Sequence, residues 1–132
     1  AREALESLRT HGFRTALATS SSVGTVQEYL DINGFGPLFD VIVTGDRVAH
    51  GKPAPDIYLR ACKELCMEPS HTFAVEDSRN GIISASAAGM KALLVPDMVP
   101  PDEVMKRHAA GIFPDLFAVR RYLEHQTSGD AA

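Results

Sequence analysis

The stretch FAVEDSRNGIISASAAG, residues 73–89, sets two carboxylates side by side, Glu76 and Asp77, where an apolar run gives way to an Ala-rich segment of helical spacing. Adjacent carboxylates repel each other unless a cation joins them. A hard oxygen-donor pair of this kind suits Mg²⁺, which takes one or two carboxylates and keeps several waters. A second group lies in FRTALATSSS, an apolar run that closes on Thr19 and Ser20. A hydroxyl beside the backbone N–H groups of a helix start is a cradle for an anion such as phosphate. A third is Lys52, in the loop RVAHGKPAPD. Its ammonium is a compact charge that can neutralise a phosphoryl oxygen or a carboxylate. Taken singly, each has a plainer reading. Glu-Asp-Ser can cap a helix, with each charge contributing about 0.3–1 kcal/mol through the helix dipole. The hydroxyl run can be an N-cap, and a loop lysine is ordinarily solvated. Their joint placement is what makes a site.

That placement follows from the elements. A helix ends at Gly12, a residue suited to a helix C-terminus. An apolar strand follows over Phe13–Ala18. A helix capped within Ser20–Ser22 runs to the Gly34/Gly36 breaks, and a second strand covers Asp40–Thr44. After the Lys52 loop, Pro55 and Asp56 open a third helix. HTFAVED is the third strand, SRNGIISASAAG a helix capped by Ser78, and Lys91–Val95 the fourth strand. Two helices close the chain, and TSGDAA reads as a frayed tail. The strands are apolar throughout and alternate with helices. The expected fold is therefore α/β, a Rossmann-like parallel sheet covered by helices on both faces. In such sheets ligands bind beyond the carboxyl ends of the strands. The first strand ends at Thr19 and Ser20, the second leads through Asp46 to Lys52, and the third ends at Glu76 and Asp77. Response-regulator receivers use similar groups, but with the acid pair first and the lysine last, so the order here excludes them.

Bulk properties narrow the function. With 132 residues the chain fits one domain, and residues 1–132 are read as a single unit. A formal charge of −4 gives no electrostatic footprint for nucleic acid or an anionic membrane. No apolar run reaches the roughly 20 residues of a membrane span. Cys62 and Cys66 read as reduced helix residues of a cytoplasmic protein, and the five histidines form no metal-spaced pair.

The three motifs resemble those of the haloacid dehalogenase-like (HAD) hydrolases, in the branch of phosphatases and β-phosphoglucomutases with a helical cap. ALATSSS looks like that family's phosphate-binding motif, with Thr19 as its hydroxyl. GKPAPDIY looks like the lysine motif, with Lys52, and VEDSRNGIISASAAGM like the metal-binding motif, with Glu76 and Asp77. The likeness runs from Ala4 to about Leu123. It implies Mg²⁺-dependent hydrolysis of a small phosphate ester, such as a sugar or nucleoside phosphate, through an aspartyl-phosphate. Thr19, Ser20 and Lys52 would bind phosphate, with Thr19 and Lys52 catalytic, and Asp77 and Glu76 would bind the metal. Phosphomutase chemistry in the same family is one alternative, and a non-catalytic phosphate- or Mg²⁺-binding module is another. The acid pair argues against carbon–halogen cleavage, because family members with that activity do without the metal acids.

One departure carries weight. The family's first motif is an apolar strand ending in Asp-x-Asp, whose first acid is the nucleophile, and no Asp-x-Asp occurs here. Asp31 and Asn33 fall at a helix end, and Asp97 and Asp102 are spaced too far apart. The helical cap is not seen either. The resemblance thus implies a HAD-like core missing its central first strand, a partial domain that alone would be inactive. The strands ending in Thr19 and Glu76 would then face a slot that an N-terminal segment or another chain fills. Direct pairing of those two strands is the less favoured alternative.

Overall fold

Short apolar runs separated by helical stretches can pair in parallel only through crossovers, and the chain follows that rule at every step. The computed structural model describes residues 2–97 and 100–130, with the backbone alone for 127–130. The order is α1 (Arg2–Thr10), β1 (Ala16–Thr19), α2 (Val23–Asn33), β2 (Val41–Thr44), α3 (Asp56–Leu65), β3 (Phe73–Glu76), α4 (Arg79–Ala87), β4 (Lys91–Leu94), α5 (Glu103–His108), β5 (Gly111–Ile112) and α6 (Leu116–Asp130). All described pairings are parallel. β1 lies against β2 with Thr19 opposite Thr44, and β3 lies against β4 with Glu76 opposite Leu94. β5 adds to the far side of β4.

The sheet is in two parts, β2-β1 and β3-β4-β5. β1 and β3 do not pair, and a cleft of about 1540 Å³ runs between them. It is lined by the facing strands and their carboxyl ends, by Leu5, Leu8, Leu116 and Val119 of α1 and α6, and by Ala61 and Leu65 of α3. Direct pairing across the gap, the less favoured alternative, is absent.

Two apolar layers hold the halves together. Ile57, Ala61, Ile82, Ala85 and Met105 from α3, α4 and α5 pack with Val43, Ala74 and Leu94 on one side. Val119 and Leu123 of α6 pack with Leu93 on the other, joined by Leu8, Phe13 and Phe73. Leu93 and Leu94 are both fully buried yet belong to different layers, as alternate strand residues must. Helices therefore cover both faces, as the continuous apolar strands imply.

Several expectations are corrected. β1 starts at Ala16, and its four residues are only half-buried, while Val75 of β3 is exposed. Both strands border the cleft, so each lacks cover on one edge. β5 was not foreseen, because a two-residue strand carries no alternation to read. The tail is helical through Asp130, and no proline stops it; Ala131 and Ala132 lie outside the described residues. Cys66 sits beyond the end of α3 in a left-handed conformation, and both cysteines are free. No helix of the described residues is long and apolar enough to cross a membrane.

β2 starts at Val41 because Asp40 is used as a side chain. Its Oδ2 accepts the Thr15 N–H at 2.8 Å and the Arg9 guanidinium at 3.0 Å, tying α1 and the start of β1 to β2. The Thr15 N–H, the largest influence, holds the Asp40 carboxyl below its ordinary range; burial opposes it, and Arg9 adds to the lowering. A carboxyl depressed in the folded state stabilises above its unfolded value, about 3.9, and the contribution is lost as pH falls through the folded value. Asp40→Asn should therefore be less stable than the native chain at pH 7, with the difference shrinking below about pH 4. Urea titrations at a series of pH values check this; a difference constant down to pH 2 would contradict it.

Candidate active site

The crossover rule puts every strand's carboxyl end at the same edge of the molecule. Thr19, Ser20, Lys52, Glu76 and Asp77 all line the mouth of the cleft between β1 and β3. All five residues singled out from the sequence are thus brought together. Arg79, Asn80 and Asp97 border the same mouth.

The hydroxyl side is built on close backbone packing. A Cβ on Gly45 would overlap the Ser20 backbone, so only glycine lets the turn after β2 press against it. The Gly45 N–H donates to Ser21 O at 3.0 Å. Asp46 completes the brace. It accepts the Thr44 hydroxyl at 2.5 Å and the Val23 N–H at 3.2 Å, and these two bonds hold its carboxyl below the usual range. Ser22 caps α2 by accepting from Thr25 N. Three N–H groups of the expected anion cradle, those of Ser21, Val23 and Thr25, therefore already have acceptors. What faces the cleft is Ser20, exposed, and the Thr19 hydroxyl, whose oxygen accepts the Ser21 N–H at 3.2 Å and whose own proton is left to donate outward.

Across the mouth, Lys52 and Glu76 form an ion pair, with Nζ 2.6 Å from Oε2 and side chains 13% and 8% exposed. Nζ also lies 3.4 Å from Ala18 O, so the ammonium reaches from β3 to β1 over the top of the cleft. The loop that carries it is pinned by the fully buried Ser84, whose hydroxyl donates to Ala54 O at 2.6 Å. Asp77, one residue on from Glu76, is exposed.

Two residues that sequence reasoning passed over shape this pair. Tyr58, in the first turn of α3, is 6% exposed and donates its hydroxyl to Glu76 Oε2. Burial, and then the Glu76 charge, push its ionisation far above that of an ordinary phenol, so it stays a donor. Gly81, in the first turn of α4, lies so close to the Glu76 carboxylate that a Cβ there would overlap it. Both left a trace in the sequence. A tyrosine on the core face of a helix needs a partner for its hydroxyl. A glycine inside a helix gives up about 1 kcal/mol relative to alanine and so marks a close approach.

The donors present fit part of a magnesium shell. Asp77 offers an exposed carboxylate, and Glu76 Oε1, which packs against Gly81, has the Ser78 hydroxyl 3.5 Å away. Glu76 Oε2 is committed to Lys52 and Tyr58. Among the described residues no group of three or more His, Cys, Asp or Glu side chains comes together. The chain's share is thus two hard oxygens, in keeping with an ion that draws its other ligands from water and substrate. The five histidines are all exposed, and of them His71 alone lines the cleft, just before β3 and away from the carboxyl ends of the strands.

The chain is 40% identical over 97 residues to the protein CbbY of Rhodobacter capsulatus, covering 71% of this chain and 43% of that one. It is 38% identical over 92 residues to the phosphorylated carbohydrates phosphatase of Thermotoga maritima, covering 70% and 43%. A Thermotoga maritima crystal structure assigned as a β-phosphoglucomutase superposes with a TM-score of 0.85 at 30% identity, over 94% of this chain and 58% of that one. The chain thus spans less than half the length of these two curated relatives. Residues 1–95 match the haloacid dehalogenase-like hydrolase family, and the chain belongs to it.

Proposed function

We propose that this chain is the greater part of the catalytic core of a Mg²⁺-dependent phosphohydrolase acting on small phosphorylated sugars. The observation that carries the reading is the convergence of Thr19, Ser20, Lys52, Glu76 and Asp77 on one cleft mouth. The substrate class leans on the phosphorylated carbohydrates phosphatase among the relatives.

The chain's own groups divide the work. Thr19 gives its hydroxyl proton to a phosphate oxygen, and Ser20 presents a second polar group beside it. Lys52 neutralises charge on the phosphoryl group while Glu76 holds it in place. Asp77, with Glu76 Oε1, holds Mg²⁺, which supplies Lewis-acid stabilisation of phosphoryl charge when bound. Positioned charge of this kind does most of the catalysis in phosphoryl transfer. The acid that attacks phosphorus, and the acid that protonates the leaving group, come from outside these 132 residues. An extended segment ending in them fits between β1 and β3, where it would pair with both open edges and deliver its carboxyl end beside Lys52. Alone, the chain binds without turning over.

Three measurements test this. In the whole protein that the gene encodes, Asp77→Ala should abolish Mg²⁺-dependent phosphate release from a sugar phosphate; retained turnover would remove Asp77 from the metal site. On the 132-residue chain, calorimetry with inorganic phosphate should show Lys52→Met weakening binding about 10- to 100-fold, the worth of a charge-assisted hydrogen bond of about 1.5–3 kcal/mol. Equal affinities would exclude Lys52 as the phosphate cation. If the whole protein binds Mg²⁺ and phosphate yet releases no phosphate from any sugar phosphate, the non-catalytic reading replaces this one.

A further inference from the structure

Tyr58 occupies a position that a phenylalanine would fill equally well. It is buried on the core face of α3 beside Ile57 and Ala61, within the main apolar layer. Only its hydroxyl distinguishes it, and that hydroxyl donates to Glu76 Oε2. The same oxygen takes the Lys52 ammonium at 2.6 Å, and Nζ lies 5.1 Å from the centre of the Tyr58 ring. On the other side Gly81 closes against the carboxylate, with the Ser78 hydroxyl 3.5 Å from Oε1. Glu76 is therefore boxed. With both donors in place, Oε2 cannot turn away from the lysine. With the phenol hydroxyl gone, Oε2 keeps a single donor and gains the space that the hydroxyl filled. The carboxylate is then free to turn, and a four-carbon lysine stem at the edge of a cleft has little else to keep it still.

We propose that Tyr58 is a positioning residue: acting through Glu76, its hydroxyl fixes where the Lys52 ammonium sits at the mouth of the cleft. The idea rests on the proposed function for its catalytic meaning, because a fixed Lys52 matters to a phosphoryl group. The arrangement itself can be tested with neither metal nor phosphate present.

The test is NMR of the Lys52 side-chain methylenes in the 132-residue chain. Their resonances are identified by their disappearance in Lys52→Met. In the native chain they should be displaced from those of the exposed Lys63 and Lys106 and show contacts to the Tyr58 ring. Tyr58→Phe keeps the ring and the packing. It should move the Lys52 resonances toward the solvated-lysine position and remove the ring contacts, with the methyls of Ile57 and Ile82 unmoved. Glu76→Gln, which keeps the shape and removes the charge, should release Lys52 in the same way. Three results would overturn the proposal: Lys52 unchanged in Tyr58→Phe, the core methyls shifting along with it, or Lys52 still held in Glu76→Gln. Inorganic phosphate is then added to the native sample. If it fails to shift the Thr19 and Ser20 amides, the phosphate reading falls, and the positioning result stands or falls on its own spectra.

Discussion

A lysine ammonium and a glutamate carboxylate 2.6 Å apart, both largely withdrawn from water, fix the arrangement of this molecule's polar end. Neither charge is tolerable alone in such surroundings, since removing one partner of a buried pair typically costs about 3–5 kcal/mol. The pair therefore dictates what surrounds it. Tyr58 must be a tyrosine to give Oε2 a second donor, and residue 81 must be a glycine to let α4 approach the carboxylate. Ser84 must bond Ala54 O to keep the lysine loop against α4. The lysine loop, α3 and α4 thus meet at a single carboxylate. That arrangement also aims the ammonium over the cleft, toward Ala18 O on the far strand.

Below the pair, the sheet poses the opposite problem. Its interior is apolar, and its backbone groups need partners. β2 helps to satisfy β1 and β4 helps to satisfy β3, each from one side, and nothing among the described residues pairs with their facing edges. The two apolar layers keep the half-sheets parallel without joining them. The cleft thus combines open strand edges with an apolar lining of Leu5, Leu8 and Val119. An extended segment is the kind of group that satisfies both demands, because it supplies hydrogen-bonding backbone at its edges and alternating side chains above and below.

The sequence exposed the outline of this fold through burial. Continuous apolar runs between helical stretches forced a parallel, two-faced sheet, and the strand ends then had to gather Thr19, Lys52 and Glu76. What stayed hidden were features with no periodic signature. β5 is too short to alternate. The half-burial of β1 depends on what stands beside it, not on its composition. The helical continuation of α6 through Ser128 and Gly129 runs against the low propensity of those residues. Within the site, residue types announced a lysine and two acids but not their connection. That Glu76 turns inward to Lys52 is set by Tyr58 and Gly81, whose roles appear only once α3 and α4 have packed. Asp46 looked like part of the strand-end chemistry and instead braces β2 against the start of α2.

The adjacency of Glu76 and Asp77 has a physical purpose under the proposed reading. Glu76 closes β3 and turns into the core, while Asp77 has left the strand and stands exposed. One acid is therefore neutralised by Lys52, and the other remains an uncompensated negative charge at the mouth. Under that reading the residual charge would attract a divalent cation. A bound dication would turn the local balance of ammonium, two carboxylates and metal positive, and the mouth would then favour a phosphate that the acids alone would repel. Cation and phosphate would thus promote each other's binding, and thermodynamic linkage would make the coupling equal in both directions. Had both acids faced Lys52, the cation would find no free charge. Had both been exposed, Lys52 would lose its anchor. Splitting an adjacent pair between core and solvent lets one position on the strand serve both charges.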